Sequence, residues 1–288
     1  MSSAVGAPRI PALPYFLVSA IFHYLGPAFA VLLFARLDVP GVAWLRVASA
    51  ALVFALWRRP WRTVRHFDVR LTVLLGIVLA AMNLCFYLAI ARLPLSTVGA
   101  IEFLGTVALA AAGSRTPRNM LAILLTTCGI IALTNIRLSG QPIGFAFAFA
   151  NSVLFALYII LGHRIANSGT ASVGGARMPG NLDRLGVAMI VSTMVMTPFG
   201  FIGALPAFTN LHLLAAGVAV GICSSVIPYV TDQVAMARLS RATFALMLGT
   251  LPLFGTLIGA LVLHQIPTSQ DMLGIGLVAA GVAAHRQE

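Results

Sequence analysis

Ala91-Arg92-Leu93-Pro94-Leu95-Ser96-Thr97 and Ala237-Arg238-Leu239-Ser240-Arg241-Ala242-Thr243 are two versions of one passage. Laid over each other without gaps, they agree at the Ala-Arg-Leu triplet and at the threonine, and the register carries Gly113 onto Gly259. A second match lies downstream. Met120-Leu121-Ala122-Ile123 resembles Met272-Leu273-Gly274-Ile275, and Leu125, Gly129 and Ala132 fall on Leu277, Gly281 and Ala284. The offset between copies grows from 146 to 152, so one loop differs in length by about six residues. Self-similarity of this kind decides architecture before any single residue does. In an apolar chain, two copies of a helical unit point to a transporter built from structural repeats.

The chain is apolar enough for that reading. Of its 288 residues, 60% are hydrophobic and 9% charged, with a mean hydropathy of +0.98. Soluble domains carry about 25% charged residues. Here there is too little polar surface to solvate a globule, so lipid is the expected solvent. The net charge of +11 does not indicate a nucleic-acid partner, because the basic residues sit in short loops between apolar segments instead of forming one patch. All eighteen are arginine. Cys85, Cys128 and Cys223 fall inside apolar segments at spacings that suggest neither a metal site nor a redox pair, and read as small hydrophobes. Ala28-Phe29-Ala30 resembles a signal-peptidase site, but the segment continues apolar through Val31-Leu32-Leu33-Phe34, so a retained first helix is expected.

A spanning helix needs about 20 mostly apolar residues. The sequence predicts ten, at 14–34, 40–57, 70–90, 95–113, 118–136, 142–163, 184–204, 210–230, 242–263 and 269–285. Pro40, Pro94, Pro117, Pro142 and Pro267 stand near helix starts, where a missing N–H matters little. Cytoplasmic loops retain arginine. With both termini inside, the cytoplasmic side holds fourteen arginines: Arg9, Arg58, Arg59, Arg62, Arg65, Arg70, Arg115, Arg118, Arg164, Arg177, Arg184, Arg238, Arg241 and Arg286. The outer side holds three, Arg36, Arg92 and Arg137. Five helices per copy is an odd number, so the second copy enters the membrane upside down. The expected fold is therefore all-α, with ten transmembrane helices as two inverted five-helix repeats, 1–138 and 139–288, around a central cavity.

Polar groups at membrane depth mark the candidate site. Glu102 lies about seven residues into the fourth span, where a charge is expensive and must be paired, protonated or turned to the bundle interior. Arg46 lies about six residues into the second span, and helix rise puts both near 10 Å depth. The pair reads either as a structural ion pair or as complementary to a zwitterion's carboxylate and ammonium. Asn83 and Tyr87 are four apart and share a face of the third span, and Asn151 and Tyr158 are seven apart on the sixth. Either couple can bond a polar solute or a neighbouring helix. His23 and Tyr24 sit mid-span in the first helix. Asp232, close to Arg238 and Arg241, reads as a surface pair or gate. Gly217 with Gly221, and Gly255 with Gly259, form small-residue pairs that let helices approach. Gly26-Pro27, Pro198 and Pro228 are candidate bends.

These residues resemble the drug/metabolite transporter superfamily and, within it, the EamA family with its bacterial exporters of homoserine, threonine and aromatic amino acids. The likeness runs through Met82-Asn83-Leu84-Cys85-Phe86-Tyr87-Leu88-Ala89-Ile90, Leu93-Pro94-Leu95 and Ala100-Ile101-Glu102-Phe103. In the second half it runs through Ala156-Leu157-Tyr158-Ile159, Ile227-Pro228-Tyr229, Arg238-Leu239 and Arg241-Ala242-Thr243-Phe244. The resemblance implies a cavity lined by the third, fourth, sixth and ninth helices, and hence a cavity role for Asn83, Tyr87, Glu102 and Tyr158. The chain departs from the family at Leu251-Pro252, where Glu-Pro is usual, and at His264-Gln265, where Gly-Glu is usual.

The function expected is export of amino acids and related small zwitterions across a bacterial inner membrane, by alternating access. Its partners are those solutes and membrane lipid; the oligomeric state stays open, a monomer included. No cofactor is expected, and no phosphate loop of the Gly-x-x-x-x-Gly-Lys type is present for ATP. The alternatives are a drug or other metabolite carrier of the same fold, an intramembrane enzyme, and a non-transporting membrane partner. A nucleotide carrier would want several cations at depth, where only Arg46 lies. Glu102 is the one acid clearly within a span, too few for an aspartyl protease.

Overall fold

A computed structural model describes residues 12–62, 68–111, 116–135, 141–167, 180–239, 244 and 251–284. Among these there are ten helices and no strand. They are α1 Ala12–Leu33, α2 Val39–Arg58, α3 Val69–Ile90, α4 Leu95–Ala111 and α5 Pro117–Asn135, then α6 Pro142–Asn167, α7 Gly180–Phe208, α8 Leu211–Met236, α9 Leu251–Leu263 and α10 Ser269–Ala284. Thr243, Gly113 and arginines 9, 65, 115, 137, 177, 241 and 286 lie outside the described residues, as does most of the expected start of the ninth span.

Local chemistry sets the ends. Asp68 caps α3, its Oδ1 accepting the Leu71 N–H at 3.2 Å. Asn210 caps α8 by accepting from the His212 and Leu213 N–H groups. The α2 helix closes on Arg59, whose left-handed backbone (φ 49°) turns its N–H onto the Ala55 carbonyl before Pro60 ends the run. Trp57 and Trp61 are both exposed beside Arg58, Arg59 and Arg62, an arrangement typical of a membrane–water boundary.

Three helices run four or more residues past their expected ends, α6 to Asn167, α7 to Phe208 and α8 to Met236. The α7 helix absorbs Pro198 and Pro206 without stopping. The α8 helix continues six residues past 230, because Asp232 and Gln233 are buried rather than solvated. It passes Pro228 through a π-helical segment, Ile222–Val226. Proline cannot donate to the carbonyl four residues back and its ring crowds that carbonyl. A widened turn relieves this, and the Ser224 carbonyl finds no N–H to accept from four residues on, at Pro228.

Among the described residues, six helices are long and apolar enough to cross a membrane: Pro14–Leu33, Val39–Arg58, Val69–Ile90, Pro142–Ile165, Leu182–Phe208 and Leu211–Met236. Leu95–Gly105 and Leu253–Leu263 are shorter apolar stretches. On α7, Met194, Phe199 and Ile202 point outward, as lipid-facing side chains do.

The packing partners follow a pattern. The most extensive pairings join α2 to α7, α5 to α10, α3 to α6 and α1 to α8. Further pairings join α3 to α7, α2 to α8, α4 to α6, α1 to α9 and α4 to α9. Exchanging each helix for the one five places along maps this set onto itself. Directions can be read from the contacts. Arg58 pairs with Asp183 at 2.8 Å while Gly41 meets Gly203, so α2 and α7 are antiparallel. Gly129 meets Gly274 and Arg118 Nε bonds the Ala284 carbonyl, so α5 and α10 are antiparallel too. Leu45 meets Gly217 and Ser49 meets Gly221, which makes α2 and α8 parallel. Gly76 lies against Ala188 and Val191 while Asp68, at the start of α3, lies near Arg184, so α3 and α7 are parallel in the corresponding way.

Candidate functional site

Midway along the bundle, His23, Arg46, Met82, Asn83, Phe86, Glu102, Asn151 and Tyr229 enclose a small cavity. These come from α1, α2, α3, α4, α6 and α8, so no single helix builds it. Its free space suits about one water molecule.

One side is a cation. Arg46 is 4% exposed. Its Nε donates to Ser225 Oγ at 2.8 Å and its Nη2 to the Ser224 carbonyl at 2.7 Å. That carbonyl is the one Pro228 releases. The guanidinium also lies over the Tyr87 ring, 5.3 Å from its centroid. The approach of α8 needs glycine. A Cβ on Gly221 would strike Ser49 and the Arg46 backbone, and one on Gly26 would strike Ser224.

The opposite side is a carboxyl. Asn151 Nδ2 donates to Glu102 Oε1 at 2.9 Å. Ser152 Oγ takes the Gly105 N–H at 2.9 Å and donates to the Glu102 backbone carbonyl at 3.2 Å, locking α4 to α6. Glu102 Oε2 makes no hydrogen bond; the Tyr24 hydroxyl stands beside the carboxyl without reaching hydrogen-bond geometry. No ion pair joins Glu102 to Arg46, so of the two sequence readings the structural salt bridge is absent. A guanidinium and a carboxyl face one cavity, each held by neutral partners.

Amides flank them. Asn83 Nδ2 donates to the Leu79 carbonyl at 2.7 Å and to the Tyr229 hydroxyl at 3.4 Å. The Oδ1 atoms of Asn83 and Asn151 are buried without a partner. Such an atom is destabilising by about 1–3 kcal/mol, and three of them (these two and Glu102 Oε2) gather at one cavity. Met82 and Phe86, four apart on α3, supply an apolar wall.

Of the eight residues singled out in the sequence, His23, Arg46, Asn83, Glu102 and Asn151 line the cavity. Tyr24, Tyr87 and Tyr158 stand behind it, all fully buried. Tyr24 wedges between Gly99 of α4 and Gly255 of α9. Tyr87 lies beneath Arg46, and Tyr158 stacks on Phe155 and tilts against Tyr229. Asp232 departs from the surface pair expected of it. It is 1% exposed and accepts from the Ser19 hydroxyl and from the Tyr158 hydroxyl at 3.0 Å. Arg238 instead covers the Tyr15 ring at 4.7 Å. The Ser224-Ser225 pair that anchors Arg46 went unread in the sequence. Its signal is a proline four residues after a serine inside an apolar run. Among the described residues no group of acids, histidines and cysteines is arranged to hold a metal.

Known proteins match this chain along most of its length. Residues 142–285 match the EamA-like transporter family. The threonine/homoserine exporter RhtA of Escherichia coli strain K12 is 29% identical over 263 residues, covering 88% of this chain and 84% of that protein. The Salmonella typhimurium strain LT2 threonine/homoserine exporter RhtA is 28% identical over 265 residues, covering 90% and 86%. A crystal structure superposes with a TM-score of 0.61 at 19% identity, covering 94% of this chain and 96% of its own, a likeness of fold alone.

Proposed function

This chain belongs to the EamA-like transporter family, and from that premise we propose that it exports amino acids and related small zwitterions across a bacterial inner membrane. One observation carries the reading: a buried guanidinium and a buried carboxyl face the same cavity and do not pair. A zwitterion supplies both missing counter-charges. Its carboxylate meets Arg46 and its ammonium meets Glu102 Oε2, with the free Oδ1 atoms of Asn83 and Asn151 as further acceptors. The name of the curated relatives, threonine/homoserine exporter, agrees with this class of solute.

Ten spans in two inverted halves, with both termini cytoplasmic, supply the mechanism. The self-mapping pattern of helix pairs supports two equivalent units, and antiparallel α2/α7 and α5/α10 support their inversion. The family match spans one such unit, α6 to α10. Because the enclosed space is far smaller than an amino acid, the two units must rock apart on one side at a time to admit solute.

Counterflow in proteoliposomes tests the reading. Vesicles loaded with unlabelled threonine should accumulate labelled threonine through the wild-type chain. Glu102→Gln should lower the rate at least about tenfold, the effect of roughly 1.4 kcal/mol of lost charge-assisted bonding. Undiminished counterflow in that variant removes Glu102 from the site.

A further inference from the structure

A second buried carboxyl lies outside the cavity, and the solute reading does not use it. Asp232 joins three helices: Ser19 of α1 donates to its Oδ1, and Tyr158 of α6 donates to its Oδ2. Ser19 is one helical turn from His23, and Asp232 is about one turn from Tyr229, both cavity residues. The cluster is therefore a floor beneath the cavity, at the end of the bundle where α1 begins and α6 and α8 finish. In the register of the sequence repeat, Asp232 stands where the first copy has Phe86. The carboxyl floor thus exists on one face only of an otherwise repeating design.

We propose that Asp232 is a proton-binding site that couples solute export to a proton gradient, its protonation unlatching this floor. The proposal rests on the exporter reading and on its cytoplasmic placement of the α1 start.

The atoms present account for both states. As a carboxylate, Asp232 accepts two hydroxyl hydrogens, and bonds to a charged acceptor are about twice as strong as neutral ones. A proton arriving from water binds Oδ1, and the acid then donates to Ser19 Oγ. The Ser19 hydrogen must leave that line, and the Pro228 carbonyl, 3.5 Å away, receives it. One hydroxyl rotation absorbs the proton, and the charge that tied α1 and α6 to α8 is gone. Release of the proton reverses the rotation. Among the described residues, no salt bridge involves Asp232. From α1 the Ser19 hydroxyl reaches the carboxyl, and from α6 the Tyr158 phenol does. On α8 itself the Tyr229 phenol is the titratable neighbour, and Arg238 is engaged with Tyr15. On α7, which packs on the same stretch, Asp183 is bound to Arg58. The latch communicates with the cavity through the Tyr158–Tyr229 contact, 5.5 Å between ring centroids, and through Phe155, which touches both Tyr158 and His23.

Efflux of labelled threonine from proteoliposomes, with and without an imposed pH gradient, tests the coupling. In the wild type the gradient should accelerate efflux at least about fivefold, the lower end of usual coupling between sites. Asp232→Asn should reduce that ratio to about one while gradient-free counterflow stays within about twofold of wild type. Ser19→Ala should raise efflux without a gradient. An Asp232→Asn protein that keeps the full gradient response overturns the proposal, and so does a wild type that exchanges threonine but ignores the gradient. Loss of all exchange in the wild type would instead contradict the exporter reading. Infrared pH titration of the purified protein then still decides the proton site. A carboxyl band that titrates in the wild type and disappears in Asp232→Asn supports it, and identical bands in both overturn it.

Discussion

Arg46 and Pro228 form one device at the residue scale. Proline withdraws a backbone donor, a carbonyl becomes available, and a buried guanidinium is held by it instead of by an acid. Pro228→Ala restores that donor, so Ser224 can bond within α8 and Arg46 loses an anchor worth about 1.5–3 kcal/mol. Counterflow should then show KM raised about tenfold or more while the protein remains folded; an unchanged KM would remove Pro228 from the site's construction. Asn83→Ala should change the ranking of threonine, phenylalanine and methionine in competition assays, since an amide at the cavity reads polar side chains. An identical ranking would leave Asn83 as packing alone. At this scale the sequence was most informative for groups that lipid cannot tolerate. His23, Arg46, Asn83, Glu102 and Asn151 stand out in apolar runs, and all five meet at one cavity. The tyrosines were harder to place, because a ring with a polar tip can line a cavity or back it equally well. The burial of Asp232 was hidden by the arginines that follow it in sequence, of which Arg238 covers Tyr15 instead.

The elements explain where sequence reading stopped short. Apolar length placed the helix centres well, but the ends of α7 and α8 depended on prolines that the helices absorb and on polar residues that other helices cover. Neither is visible in one segment read alone. The α2/α8 contact is a sensitive packing, because a Cβ on Gly221 would meet the Arg46 backbone carbonyl as well as the short Ser49 side chain. Gly221→Ala should destabilise the protein by about 1–3 kcal/mol, read as a lowered apparent unfolding temperature in detergent. Gly276, around which a Cβ meets open space, should accept alanine without loss. Equal melting of the two variants would mean that α2 and α8 are not in the close contact described.

For the whole molecule, two short sequence matches suggest repetition, and the set of helix pairings named above is unchanged by a five-place exchange. Tags on the two termini should both map to the cytoplasmic face; opposite faces would break the proposed inversion. What no segment could announce is that two charges from α2 and α4 would face each other across a cavity without pairing, because that depends on how α8 and α6 hold them. Charge-selective counterflow measures this most directly, with threonine, its methyl ester and N-acetylthreonine as competing solutes. The wild type should prefer threonine over both analogues. Glu102→Gln should lose discrimination against N-acetylthreonine, which lacks the ammonium, and Arg46→Gln should lose discrimination against the ester, which lacks the carboxylate. If both variants keep the wild-type order of preference, the two buried charges do not read the ends of a zwitterion.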